Sequence, residues 1–205
     1  MNFLALLGWH PAGDNEVLTP DDLVREFSLA RVQKGGAQFD EAKLRHLNRA
    51  HLRKLSDDEF LQKSGITAAD EARLRRALPV IRERAYTLKE AQEMLQSELL
   101  WLRDAPMLDR EVLLAKGDTA KGHLAEFVHM LEALHEDMSA GDIKRALMPY
   151  ADSIPKDAGG RGAALWPLRY ALSGAERSPD PFTLIHILGG EESKARLHAA
   201  IEQLS

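Results

Sequence analysis

"LAEFVHMLEAL", residues 124–134, carries its large apolar side chains at Leu124, Phe127, Val128, Leu131 and Leu134. Those positions lie 3, 4, 7 and 10 residues beyond the first, the period of a helix with one face turned to a core. Elsewhere the chain shows no sustained two-residue alternation with β-branched enrichment. It has no Asn-Gly or Asp-Gly hairpin turn either. The sequence therefore reads as all-α. Its 205 residues, 44% of them hydrophobic, suffice to bury a core.

Outward from that stretch, the start and stop signals belong to helices. Thr19-Pro20-Asp21-Asp22 offers an N-cap, a proline at the first helical position and two acids at the positive end of the dipole. Ser56-Asp57-Asp58-Glu59 and Thr87-Leu88-Lys89-Glu90 read as capping boxes. Pro79 is expected to kink its helix rather than end it, because apolar residues of helical spacing continue through Ile81 and Ala85. Breaks are expected at Pro106, at Gly117 and along "IPKDAGGRG" (154–162), the strongest loop signal. Pro167 is expected to open a short helix that stops at Ser173-Gly174, and "SPDPF" (178–182) another that Gly189 ends. There is no internal repeat.

Several chemistries drop out. Without cysteine there is no disulfide, thiolate metal site or cysteine nucleophile, and a reducing cytoplasm is the expected compartment. "FLALLGW" (3–9) is too short to span a bilayer and has no basic flank, so neither membrane nor secretory signal is expected. Glu126-x-x-His129 and Glu132-x-x-His135 have di-metal spacing, but such sites draw their motifs from different helices and these share one. His123, His129 and His135 step by six and scatter around the helix, so no metal is expected. "GGRG" (159–162) follows no strand and lacks the P-loop lysine and hydroxyl, and reads as a connector. No triad or carboxylate pair stands out; neither a catalytic residue nor a cofactor is expected.

The charge is polarised along the chain. The net value is −5, yet residues 40–90 hold twelve Lys/Arg against nine Asp/Glu, and residues 91–142 four against eleven. Lys43 to Lys54 has five cations and no acid; Arg73 to Arg84 has five cations against Glu83 alone. Such runs fit either a solvated helix face or a surface that tracks phosphates.

Six stretches select a family. "NFLALLGW" (2–9), "FDEAKLRHLN" (39–48), "LRRALPVIRER" (74–84), "PLRYALSG" (167–174), "SPDPF" (178–182) and "ILGGEESKARL" (187–197) follow one another along the whole chain. Together they resemble the C-terminal, stem-contact plus anticodon-binding portion of bacterial glutamyl-tRNA synthetases, which are class I enzymes. One departure is His46, where the family usually has tryptophan.

The resemblance implies a helical bundle or cage of the anticodon-binding type. On that reading residues 1–55 complete a stem-contact domain, and 56–97 and 98–205 form anticodon-binding subdomains 1 and 2. The basic segment then follows the inner side of the tRNA, with Lys43, Arg45, Arg49, Arg73 and Arg76 on its backbone. Arg84 matches the family position that reads the third anticodon base. Arginine there favours the cytosine of tRNA-Glu. Arg169 and Ser178 match positions around the middle and third bases, beside Pro179 and Pro181, whose fixed backbone suits a preformed pocket. Trp166 and Tyr170 read as core fillers or as stacking platforms for unstacked bases. The expected partner is tRNA-Glu, with neither DNA nor membrane, and the expected state a monomer. The other reading is a helical adaptor that docks a synthetase or another translation protein without binding tRNA.

The family's "HIGH" and "KMSKS" signatures are absent, so the catalytic domain is expected to lie outside this chain. A chain that opens directly in "NFLALLGW" is expected to be an excised portion rather than a natural stand-alone piece. Pure protein is accordingly expected to give no glutamate-dependent ATP–pyrophosphate exchange; activity above background would reveal an active site missed here.

Overall fold

Capping side chains fix where this chain turns. The computed structural model describes residues 1–36, 38–135 and 137–205. Among them the fold is helical, and the one β pairing is an isolated bridge between Trp9 and Val32. The chain divides into two compact units: Met1–Ile66 with Pro79–Glu93, and Thr67–Leu78 with Met94–Ser205.

The first unit contains α1 (Asn2–Gly8), α2 (Pro20–Glu26), α3 (Glu41–Lys54) and α4 (Asp57–Ser64). It also takes the second half of α5 (Glu71–Arg84) and most of α6 (Leu88–Leu95). Phe3, Trp9, Leu18, Leu47, Leu52, Phe60, Ile81 and Ala85 are buried in its core. The capping box expected at Ser56 with Glu59 forms, and Thr19, expected as an N-cap, closes a box of its own with Asp22. Hydrogen bonds from Thr19, with help from Arg25, hold the Asp22 carboxyl down at about 2. Buried Asn2 joins three segments: its Oδ1 accepts from the Leu18 N–H at 3.2 Å and lies 2.9 Å from His51 Nε2. Helix α5 runs through Pro79 without ending, as expected, with Leu74, Leu78, Ile81 and Ala85 buried along one stripe.

The second unit is built around α10 (Gly160–Ser173), which packs against α7 (Arg110–Leu113), α8 (Ala120–Glu132), α9 (Ala140–Ser153), α11 (Pro181–Leu188) and α12 (Gly190–Gln203). Its core draws on Leu124, Phe127, Leu131, Leu147, Ala164, Leu168, Leu184, Ile187 and Leu197. No helix among the described residues is long and apolar enough to cross a membrane.

Two sequence expectations are corrected. Helix α8 stops at Glu132, leaving Leu134 beyond it. Helix α10 begins inside "GGRG", at Gly160, and so carries in its interior the Pro167 that was expected to open it. The reason is packing: Ala163 and Ala164 are buried against neighbours, which offsets the weak helix propensity of two glycines and the hydrogen bond lost at Pro167. Gly159, at φ +90°, makes the turn that lets the helix start there.

Glycine is required at Gly174. Its φ is +62°, and an added Cβ would collide with Pro106 Cβ. At Gly65, with φ +64°, the nearest atom to such a Cβ is Gln92 Nε2 at 3.6 Å. Gly65→Ala is expected to lose about 1–2 kcal/mol, the backbone cost alone. Gly174→Ala adds an overpacking cost of about 1–3 kcal/mol. Urea denaturation of both variants checks this ordering.

Candidate nucleic-acid interface

In the first unit the basic run of α3 is anchored at its start, where Asp40 accepts from the Lys43 N–H at 3.0 Å. Lys43 Nζ reaches Glu16 at 2.6 Å, a pair with both side chains partly in water. One turn on, Tyr86 organises the helix. Arg45 stacks over its ring at 4.6 Å and Arg49 at 5.1 Å, while the Asn48 amide donates to its carbonyl. Glu90 completes the cluster, pairing with Arg45 Nη2 at 2.8 Å and accepting the Tyr86 N–H at 2.8 Å. Burial works to raise the Glu90 pKa, but the Tyr86 N–H and the Arg45 guanidinium outweigh it and hold the carboxyl below its ordinary value. The other expected capping box is thus half formed: Thr87 Oγ1 accepts from the Glu90 N–H, and the Glu90 carboxylate goes to Tyr86 instead of returning to Thr87. His46 is exposed on α3, so its place at the family's tryptophan position leaves no hole in the core. Arg84, the last residue of α5, is exposed.

The two other expected backbone contacts on α5 belong to the second unit. Arg76 Nε donates to the Ile187 carbonyl at 3.0 Å. Arg73 donates to the Leu102 carbonyl at 3.4 Å and lies 3.4 Å from Asp70 and 3.8 Å from Glu192, its side chain only 17% exposed. Both hold helix ends, and both remain partly open to solvent.

Arg169 and Ser178 are brought together. The guanidinium Nη1 donates to Ser178 Oγ at 3.1 Å and lies over the Trp166 ring at 4.9 Å. Burial pulls the Arg169 pKa down and Glu176 opposes it. Pro179 and Pro181 are buried, so the segment carrying Ser178 is held by its prolines and by Asp180, which caps α11 through the Phe182 and Thr183 N–H groups. The paired reading of Trp166 and Tyr170 separates. Tyr170 is 5% exposed and accepts the Asp109 N–H at 3.2 Å, a core role. Trp166 is half-buried, its indole N–H pinned to the Val112 carbonyl at 2.7 Å.

Sequence reasoning missed Tyr86 and Asn48, although the spacing of Arg45, Asn48 and Arg49 on one helical face was available as a signal. It also missed Arg196, 3% exposed, which bonds Glu192 at 2.7 Å, the Leu172 carbonyl at 2.7 Å and the Asp104 carbonyl at 3.2 Å. That fork fixes the end of α10, from which the Ser178 segment departs.

Arg76→Ala is expected to destabilise the protein by about 1–2 kcal/mol, since it strips a donor from a helix-end carbonyl. Lys43→Ala, which breaks a solvated pair, is expected to cost less than about 1 kcal/mol. Chemical denaturation distinguishes them.

A family model described as "Anticodon binding domain" matches residues 43–201. The chain is 32% identical over 216 residues to a glutamate–tRNA ligase of Clostridium acetobutylicum, covering 100% of this chain and 43% of the relative. It is 34% identical over 219 residues to glutamate–tRNA ligase 1 of Mesorhizobium japonicum, covering 98% and 44%. A crystal structure of a glutamate tRNA ligase from Elizabethkingia meningosepticum, in complex with its amino acid, superposes with a TM-score of 0.74 at 26% identity, covering all of this chain and 40% of that one. The chain thus spans less than half the length of the relatives it matches.

Proposed function

The chain belongs to the anticodon-binding-domain family, and from that premise we propose that it recognises tRNA-Glu through the anticodon, as part of a cytoplasmic glutamate–tRNA ligase whose longer form joins glutamate to that tRNA. Residues 1–55 serve as the end of a stem-contact domain, and 56–97 and 98–205 as two anticodon-binding subdomains. Lys43, Arg45, Arg49, Arg73 and Arg76 take backbone phosphates; Arg84, Arg169, Ser178, Pro179 and Pro181 face the bases. The protein acts as a monomer.

The observation that supports this most is the Arg169–Ser178 pair, a guanidinium stacked on an indole and bonded to a hydroxyl on a proline-held segment, within the matched residues 43–201. Anticodon bases splay out of their stack and expose their edges, and a donor held in place before binding loses little entropy when a base arrives. Arginine offers donors only. Set against cytosine's carbonyl and ring nitrogen at the third anticodon position, Arg84 makes two bonds; against guanine it meets an edge bearing donors of its own.

Arg84→Gln is therefore expected to erode discrimination between tRNA-Glu and tRNA-Gln more than it weakens binding overall. A charged bond contributes about 1.5–3 kcal/mol, a roughly tenfold to hundredfold preference. Binding curves for both tRNAs at fixed salt measure it. Equal losses for both would demote Arg84 to a phosphate contact. Wild-type protein whose binding ignores salt would favour the protein-docking adaptor.

A further inference from the structure

Residues 91–142 carry four cations against eleven acids, and one of the four stands beside the base-reading pair. Arg110 is spent on the Gln203 carbonyl and Lys121 on Ser205 Oγ. Lys116, exposed in the turn between α7 and α8, instead puts its ammonium 5.6 Å from the centre of the Trp166 ring. The same ring carries the Arg169 guanidinium at 4.9 Å.

Helix α7 and the turn after it each come close to α10. The Val112 carbonyl accepts the Trp166 indole N–H at 2.7 Å. The Lys116 carbonyl lies 3.5 Å from where a Cβ on Gly159 would stand. Backbone packing therefore sets where the lysine emerges.

Two cations on one indole repel each other, and the ring's negative face offsets only part of that repulsion. Neither Lys116 nor Arg169 forms an ion pair with any described residue. The Glu176 carboxylate acts on Arg169 through space without pairing with it, which leaves both cations able to take an anion from outside. A ligand that brings a phosphate and a base edge together would engage both cations. A nucleotide of a single-stranded loop is such a ligand.

We propose that Lys116 is a further RNA-contacting residue: it binds the backbone phosphate of the nucleotide whose base Arg169 reads, with Trp166 holding both cations in place. The assignment rests on the anticodon-binding reading of the same site.

The test is binding of a tRNA-Glu transcript across a salt series to wild type, Lys116→Ala, Arg169→Ala and Lys144→Ala, the last an exposed lysine on α9 as a control. Thermal melts accompany each protein. Lys116→Ala is expected to melt with wild type, bind about threefold to tenfold more weakly, and show a log–log salt slope smaller by about 0.7, one phosphate on a single strand. It should weaken tRNA-Glu and its anticodon-substituted forms alike, whereas Arg169→Ala weakens them unequally. Lys144→Ala should match wild type. Unchanged affinity and slope for Lys116→Ala, with Arg169→Ala impaired, would overturn the lysine's role and leave the anticodon reading standing. Salt-independent or absent binding by wild type would overturn both.

Discussion

Every helix leaves carbonyls without partners at its C-terminal end, and this chain satisfies them with arginine. Arg31 donates to the Glu26 carbonyl at the end of α2, Arg76 to Ile187 near the end of α11, and Arg196 to Leu172 near the end of α10. Arg110 serves the last residue of α12 and Arg73 the last residue of the short 3-10 turn at Leu100–Leu102. The guanidinium suits the task because one planar fork can reach two segments at once and stays charged when half-buried. Arg196 carries this furthest, tying α12, the end of α10 and the segment at Asp104 in one buried knot.

The consequence for function is that positive charge along the sequence is not one population. Arg73 and Arg76 are tied to carbonyls, and Arg45 and Arg49 are stacked on Tyr86. These side chains are ordered before any ligand arrives, which lowers the entropic cost of a phosphate contact and couples affinity to stability. Arg169 is ordered differently, by an indole and a hydroxyl.

Much of the fold was legible because its signals are local. Apolar periods marked α5 and α8, and Thr19, Ser56 and Gly189 marked helix ends where the structure has them. What stayed hidden depends on partners distant in sequence. The start of α10 among glycines is set by the burial of Ala163 and Ala164, and the diversion of Glu90 from Thr87 to Tyr86 depends on where Arg45 stands. The site was legible in the same partial way. Arg169 and Ser178, from neighbouring stretches, meet in a hydrogen bond, whereas Tyr86 and Arg196 act through contacts that no spacing along the chain announces.

Anticodon recognition is tested most directly by asking which piece of the tRNA the isolated chain holds. Titrating it at one low ionic strength with the anticodon stem-loop of tRNA-Glu, and separately with a minihelix of the acceptor stem, compares the two ends of the molecule. Tighter binding of the stem-loop, lost when its third base is changed from cytosine to guanine, is the expected result. Equal affinity for the two pieces, or preference for the minihelix, would contradict it.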